Sequence, residues 1–325
     1  MNIDLSYYDP KKWKFNNYDI SNEGYYLYDE DQRHPGWGLV KIGRPSGSTI
    51  SSCINHATKY ATQDEIALEI CKVKVKEVSE EAKARMIHGV EYESIAREWY
   101  ERKTNNVVKE MGYIIPSWDL RIGVSVDGEI SNESERSERN EEIGFGRILG
   151  DSSPKNAAKE ISNSVNENLE FTNSKNSELE NSKFGNLEIQ ELEELKNRNL
   201  DKLEFQNLDN KDGIIEIKCP QRMYENLKTN IRLRKMGVKP KGFSHIPITH
   251  YDQMQLGMAI RRRSFCDYIV FCTSEDSVFL QRIPFDSEYW LQSMYPATDW
   301  FCKNKINPIL KQYGLTNFPL MPSIE

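Results

Sequence analysis

An acid and a base stand two residues apart in the otherwise apolar run Gly213-Ile-Ile-Glu-Ile-Lys-Cys-Pro220. A strand repeats every two residues, so Glu216 and Lys218 project from one face while Ile215 and Ile217 point to the other. Charges set among core residues are costly unless something pairs them. One reading is a salt bridge on a half-exposed strand. The other is a carboxylate that holds a divalent cation beside an ammonium that serves an attacking water, the pair a metal-dependent phosphodiesterase needs. The spacing alone decides little, because it recurs at Glu81/Lys83, Glu101/Lys103 and Glu194/Lys196. Only the copy at Glu216 lies in a strand-like run.

Three other elements must position partners for this pair. Arg121-Ile-Gly-Val-Ser-Val-Asp-Gly128 reads as a strand closed by a tight Asp-Gly turn, which puts Asp127 at a strand end; an ordinary hairpin turn is the competing reading. Residues 79–103 read as a helix, on which Val90, Glu93, Ala96, Arg97 and Tyr100 share one face at ~100° per residue. Glu93 is thereby expected among buried residues, where it wants a metal or a cation. The alternative is a pair with Arg97 four residues on, worth roughly 0.2–0.5 kcal/mol when exposed. Gly89 costs about 1 kcal/mol inside a helix and is expected where this helix approaches the sheet closely. Downstream, residues 250–260 form a second helix carrying Gln253 and Gln255, which point ~200° apart.

The order of these elements resembles the lambda-exonuclease-like (YqaJ-type) viral recombinase nucleases of the PD-(D/E)xK superfamily. The matching stretches are Gly89-Val-Glu-Tyr-Glu-Ser-Ile-Ala-Arg97, Ser125-Val-Asp-Gly128, Glu216-Ile-Lys-Cys-Pro220 and Tyr251-Asp-Gln-Met-Gln255. A looser match is Trp37-Gly-Leu-Val-Lys-Ile-Gly43 with Ser48, in which Lys41 stands where the family has arginine and Arg44 is a substitute three residues on. Lysine meets a phosphate as a point charge, without the bidentate fork.

The resemblance implies a restriction-endonuclease-like α/β core, a mixed central β-sheet flanked by helices. It implies digestion of one strand from duplex DNA ends in the 5′→3′ direction, with Mg²⁺ (or Mn²⁺) as cofactor. Asp127, Glu216 and the Ile217 carbonyl are the implied metal ligands, with Glu93 holding a second metal or its water shell. Lys218 is the implied catalytic base-side group that orients the water. Lys41, Arg44, Ser48, Ser125, Gln253 and Gln255 are the implied contacts to DNA and its 5′-phosphate, Gln255 also being a candidate for packing. Double-stranded DNA ends are the implied partner, with a trimeric homo-oligomer and a single-strand annealing protein by analogy. The competing readings are a structure-selective endonuclease or resolvase on the same core, and a non-catalytic DNA-end-binding recombination protein.

Composition divides the chain into residues 1–130, 131–212 and 213–325. The middle segment holds fourteen Asn and ten Ser among its 82 residues and carries a net charge of −8, against −7 for the whole chain. Such a long, polar, low-complexity insertion is expected to be disordered or loosely helical, with 187–208 as a short solvated helix. It interrupts what is otherwise the connection between the Asp127 and Glu216 strands, each part of one nuclease domain.

The remaining residues are near neutral, with positive charge clustered at Lys228, Arg232, Arg234, Lys235, Lys239 and Lys241 and again at Arg261-Arg-Arg263. Clusters of this kind suit phosphate tracking or a subunit contact. Six cysteines show no metal-ligand spacing with the five histidines and read as reduced, buried thiols of an intracellular protein, in the cytoplasm, at a viral replication site or in the nucleus. The start lacks a signal-peptide pattern and no apolar run is long enough to span a membrane. The aromatics of residues 7–37 are expected to pack onto the domain. Strands at 267–273 and 278–283 and a closing helix at 287–305 complete the expected sheet.

Overall fold

The computed structural model describes residues 13–16, 24–28, 32, 36–57, 61–74, 78–131, 213–238, 242–273 and 278–315. Its centre is a five-stranded sheet. Four of the strands are β3 (Val107–Lys109), β5 (Gly128–Ser131), β6 (Gly213–Lys218) and β7 (Phe265–Phe271); β8 (Val278–Pro284) closes the order β3-β5-β6-β7-β8. Only β6 and β7 run parallel, so the sheet is mixed. The chain is an α/β protein with helices on both faces of this sheet. A second sheet, which the sequence reading had not separated, joins β1 (Trp13–Asn16), β2 (Tyr25–Tyr28) and β4 (Tyr113–Pro116). Its burial of Tyr25 and Tyr28, with Trp37 beside them, matches the expectation of packing for those aromatics; Tyr7, Tyr8 and Tyr18 lie outside the described residues.

Alternation along β6 explains the two layers. Ile215 and Ile217 pack with Ala96, Trp99 and Tyr100 of α4 (Glu80–Thr104), whereas Ile214 packs with Met254 and Met258 of α6 (Ile248–Arg261). Short helices α1 (Gly36–Val40), α2 (Ile50–Cys53) and α3 (Gln63–Ile70) precede α4, and α5 (Glu225–Lys235) lies between β6 and α6. A helical stretch over 287–312, with π-helical turns at Trp290–Met294 and Cys302–Ile306, closes the chain. It runs one to two turns further than expected.

Helix α4 begins as its sequence directs. Ser79 caps it by accepting from the Ala82 N–H, and Asn105 ends it in the left-handed region at φ 60°. The glycine of close approach is not Gly89, around which an added Cβ would meet nothing within 4 Å. It is Gly257 on α6, where a Cβ would come within 2.9 Å of Ile214 Cδ1. The reason is geometric: the first half of α4 overhangs the sheet, while α6 crosses its centre. Val90 likewise is 59% exposed rather than buried.

The stretch 121–128 also differs from its expected strand. It carries one isolated bridge, Val124 to Ile114, and the strand begins rather than ends at Gly128. Asp127 sits at a bend just before β5. Strands β5 and β6 are antiparallel neighbours, Gly128 opposite Ile215 and Glu129 opposite Ile214, so residues 132–212 connect adjacent strands. The insertion and its 187–208 helix lie outside the described residues, as do Lys239 and Lys241. All six cysteines are free thiols, five of them buried. Among the described residues no helix is long and apolar enough to cross a membrane.

Candidate active site

Register builds the site. Gly128 faces Ile215, and one further step places Asp127 across from Glu216. At that point the ladder gives way to a side chain: Asp127 Oδ2 accepts the Ile217 N–H at 2.6 Å. Glu216, 2% exposed, is in ion-pair contact with Lys218, as same-face residues of one strand permit. Lys218 Nζ also donates to Gln253 Oε1 on α6, 3.2 Å away. Glu93 approaches from α4 and accepts from Arg97 at 3.0 Å, while the other side of that guanidinium meets Glu110. The Arg97 pair that competed with a metal for Glu93 is therefore present, and Glu93 is half-buried, its side chain 34% exposed.

Electrostatics distinguishes this cluster from an ordinary surface salt bridge. Burial pushes the Glu216 carboxyl up to about 8, and Asp127 adds to the rise. Burial likewise raises Glu93 to about 7, again with Asp127 contributing. Asp127 is itself raised by burial, against the pull of Lys218 and the Ile217 N–H. Burial opposes the charge on Lys218, but Glu216 and Asp127 outweigh it and hold the ammonium above its ordinary value. Three acids thus share two cations, Lys218 and Arg97, in a desolvated corner.

A surplus of hard oxygen donors is the chemistry that a divalent cation such as Mg²⁺ neutralises. The fit lies in the donor set. Among the described residues no three His, Cys, Asp or Glu side chains converge as a ready ligand group. The candidate site is the two facing carboxylates and the adjacent backbone, which suits an ion that keeps several of its waters.

The other expected residues fall into three groups. The loop before α2 reaches the cluster: an added Cβ on Gly47 would come within 2.9 Å of Gln253 Cγ, which brings exposed Ser48 to the same corner. Half-buried Ser125 lies two residues before Asp127. Lys41 lies 5.7 Å from the Trp37 ring centroid and 5.8 Å from that of Tyr113.

Two residues are turned elsewhere. Arg44 is 3% exposed and donates to the carbonyls of Leu120, at 2.8 Å, and Val40, at 3.0 Å, so it ties the loop to the domain. Gln255 is fully buried, its amide bonded to the Pro284 carbonyl and the Asp286 N–H. Of the arginine triplet, Arg261 is also turned inward, paired with Glu129 and lying over the Tyr25 ring; Arg263 reaches the same carboxylate at 3.5 Å. These pairings replace the expected DNA or subunit contact for those two residues. The buried hub at Asp252, one residue before Gln253, went unread. Nothing local in the sequence marks it, since its partners Ser51 and His56 lie about two hundred residues upstream.

The family model of the YqaJ-like viral recombinase domain matches residues 36–264. Among solved structures the chain is similar to an alkaline exonuclease from Laribacter hongkongensis, at 20% identity and a TM-score of 0.44, over 86% of this chain and 97% of that one. A structure of that exonuclease in complex with dAMP matches over the same shares, at 20% identity and a TM-score of 0.45. No curated protein matches.

Proposed function

The chain belongs to the YqaJ-like viral recombinase family, and from that premise we propose that it is a Mg²⁺-dependent DNA exonuclease that degrades one strand from duplex ends in the 5′→3′ direction. The observation that carries the reading is the meeting of Asp127, Glu216, Lys218 and Gln253 at one end of β6. Asp127, Glu216 and the Ile217 carbonyl are the proposed metal ligands, with Glu93 completing the negative charge. Bound there, the cation supplies Lewis acidity to the scissile phosphate and a water of lowered pKa.

The chain's own residues do the rest. Lys218, held by Glu216 and Gln253, directs a donor toward the attacking water and the charge that develops on phosphorus-bound oxygen. Its raised pKa keeps it a cation throughout the neutral range. Asp127 anchors the Ile217 amide and so fixes the backbone between Glu216 and Lys218. Ser48, Ser125 and Gln253 line the approach and are the proposed contacts to the DNA end, with Lys41 as the cation for its 5′-phosphate.

One observation favours a second reading. Lys41 lies near two rings and Arg44 is bonded inward, so a fork-like phosphate clamp is missing among the described residues of this loop. An endonuclease on the same core needs no such clamp. Linear duplexes with 5′-phosphate or 5′-hydroxyl ends, set beside covalently closed circles in Mg²⁺, separate the two. Faster loss of the phosphorylated ends with intact circles supports the exonuclease; cutting of circles supports the endonuclease.

A further inference from the structure

Outside the carboxylate cluster, the densest meeting of polar side chains is at Asp252, which is completely buried. Its Oδ2 accepts the Ser51 hydroxyl and lies 3.0 Å from His56 Nδ1; its Oδ1 accepts the Tyr289 hydroxyl at 2.5 Å. The three partners come from α2, from the turn after it and from the helical stretch at 287–312. Local backbone explains how His56 gets there. Asn55 adopts φ 66°, and the chain doubles back so that the His56 N–H donates to the Ser51 carbonyl at 2.7 Å.

The arrangement differs from a nucleophile relay, in which histidine stands between serine and acid. Here Ser51 and His56 meet the same carboxylate oxygen, and Ser51 is buried. What the cluster presents outward is the imidazole. The His56 side chain is 36% exposed and stacks on Tyr289 at 6.3 Å between centroids, with 16° between planes. A carboxylate oxygen only accepts, so Nδ1 is the donor and the opposite edge of the ring is left for another ligand. A buried anion behind an exposed imidazole favours the imidazolium, whose positive end faces away from the carboxylate.

Position gives the ligand. Gln253, the next residue on α6, touches Lys218 and packs under Gly47. The same helix therefore carries the cluster at Asp252 on one side and the hydrolytic corner on another. We propose that His56, held as an imidazolium by Asp252 and backed by the Tyr289 ring, contacts the phosphodiester backbone of DNA bound at the Asp127–Glu216 corner. The inference rests on the reading of the chain as a DNA nuclease. Among the described residues, the groups facing His56 are Asp252, Tyr289 and Ser51, and behind Tyr289 stand Tyr251 and Asp286.

The test is binding of a fluorescent 5′-phosphorylated duplex in EDTA, by anisotropy, with wild type, H56A and H56R. A lost phosphate contact reduces the slope of log affinity against log salt by about 1 between roughly 50 and 200 mM. We expect H56A to show that reduction, with severalfold weaker binding near pH 6 and a smaller loss of affinity between about pH 6 and about pH 8 than wild type. H56R should retain the slope and flatten the pH dependence. A folded H56A protein with the wild-type slope and pH profile overturns the proposal and assigns His56 to packing. Wild-type cleavage in Mg²⁺ is scored separately: absent cleavage with intact binding removes the nuclease reading, whereas unchanged H56A binding removes only the His56 contact.

Discussion

Asp127 Oδ2 accepts the backbone N–H of Ile217 at 2.6 Å, so the carboxylate that faces Glu216 also fixes the peptide between Glu216 and Lys218. One side chain thereby joins the bend before β5 to the functional end of β6. An amide oxygen can keep that hydrogen bond while losing the negative charge. Asp127→Asn should therefore fold with a melting temperature close to wild type and lose cleavage to below detection. Thermal unfolding beside nucleotide release checks both halves. Turnover near the wild-type rate would remove Asp127 from the metal site.

Lys218 and Glu216 are expected to depend on each other. Removing one partner of a buried pair leaves an uncompensated charge, a loss of roughly 3–5 kcal/mol when burial is complete. With Lys218 24% exposed, the lower end applies, so Lys218→Met should cost about 3 kcal/mol in EDTA. Adding Glu216→Gln should recover part of it. Cleavage by Lys218→Met should fall on the order of 10²–10³-fold. Urea unfolding of the single and double variants measures the coupling; strict additivity would show that the pair is incidental.

Much of this corner was legible in the sequence because it depends on short-range rules. Period-two alternation put Glu216 and Lys218 on one face of β6 and Ile215 and Ile217 on the other, as the two core layers reflect. Helix α4 was legible from composition, and its Ser79 cap is seen in the structure. Contacts set by tertiary packing were not legible. Glu129 pairs with Arg261 across 132 residues, and Asp252 meets Ser51 across 201. The bend at Asp127 was hidden for the same reason: Asp-Gly favours a turn, and only the neighbouring strand shows that the ladder starts there.

Acidity gives a third expectation. Burial raises Glu216 to about 8 and Glu93 to about 7 in the folded chain, above the ordinary carboxylate range of the unfolded one. The folded state then holds more protons than the unfolded state across that interval, so this contribution to stability is lost as pH rises from about 4.5 toward about 8. Buried His250, lowered well below its ordinary value, works in the opposite sense and costs stability as pH falls below about 6.5. In EDTA the melting temperature should decline on the alkaline side of neutrality. Mg²⁺ should raise it more near pH 8 than near pH 6, because binding draws on the ionised carboxylates. An equal Mg²⁺ effect at both pH values would contradict the assignment.

Removal of residues 133–210 should leave the activity in place. Strands β5 and β6 are antiparallel neighbours whose register runs toward Ser131 on one side and Gly213 on the other, so a short Gly/Asn turn can close them. Loop length itself carries a small entropic term, about 0.6 kcal/mol per doubling. A folded deletion variant without nuclease activity would assign the insertion a part in the reaction.

The 5′-end contact is tested through Lys41. Lys41→Ala should shrink the preference for 5′-phosphorylated over 5′-hydroxyl duplexes while leaving Mg²⁺ dependence unchanged. The wild-type preference should weaken with salt, as a single ammonium contact does. Equal rates on both ends in wild type would shift the assignment to the endonuclease.

The central claim is that the carboxylates facing each other across β5 and β6 carry metal-dependent hydrolysis of DNA. Its most direct measurement is release of acid-soluble nucleotides from a linear 5′-phosphorylated duplex by wild type and Glu216→Gln, each with Mg²⁺ and with EDTA. The expected result is release by wild type in Mg²⁺ alone, and none by Glu216→Gln in either condition although it still binds the duplex. Mg²⁺-dependent release by Glu216→Gln at the wild-type rate would contradict the account.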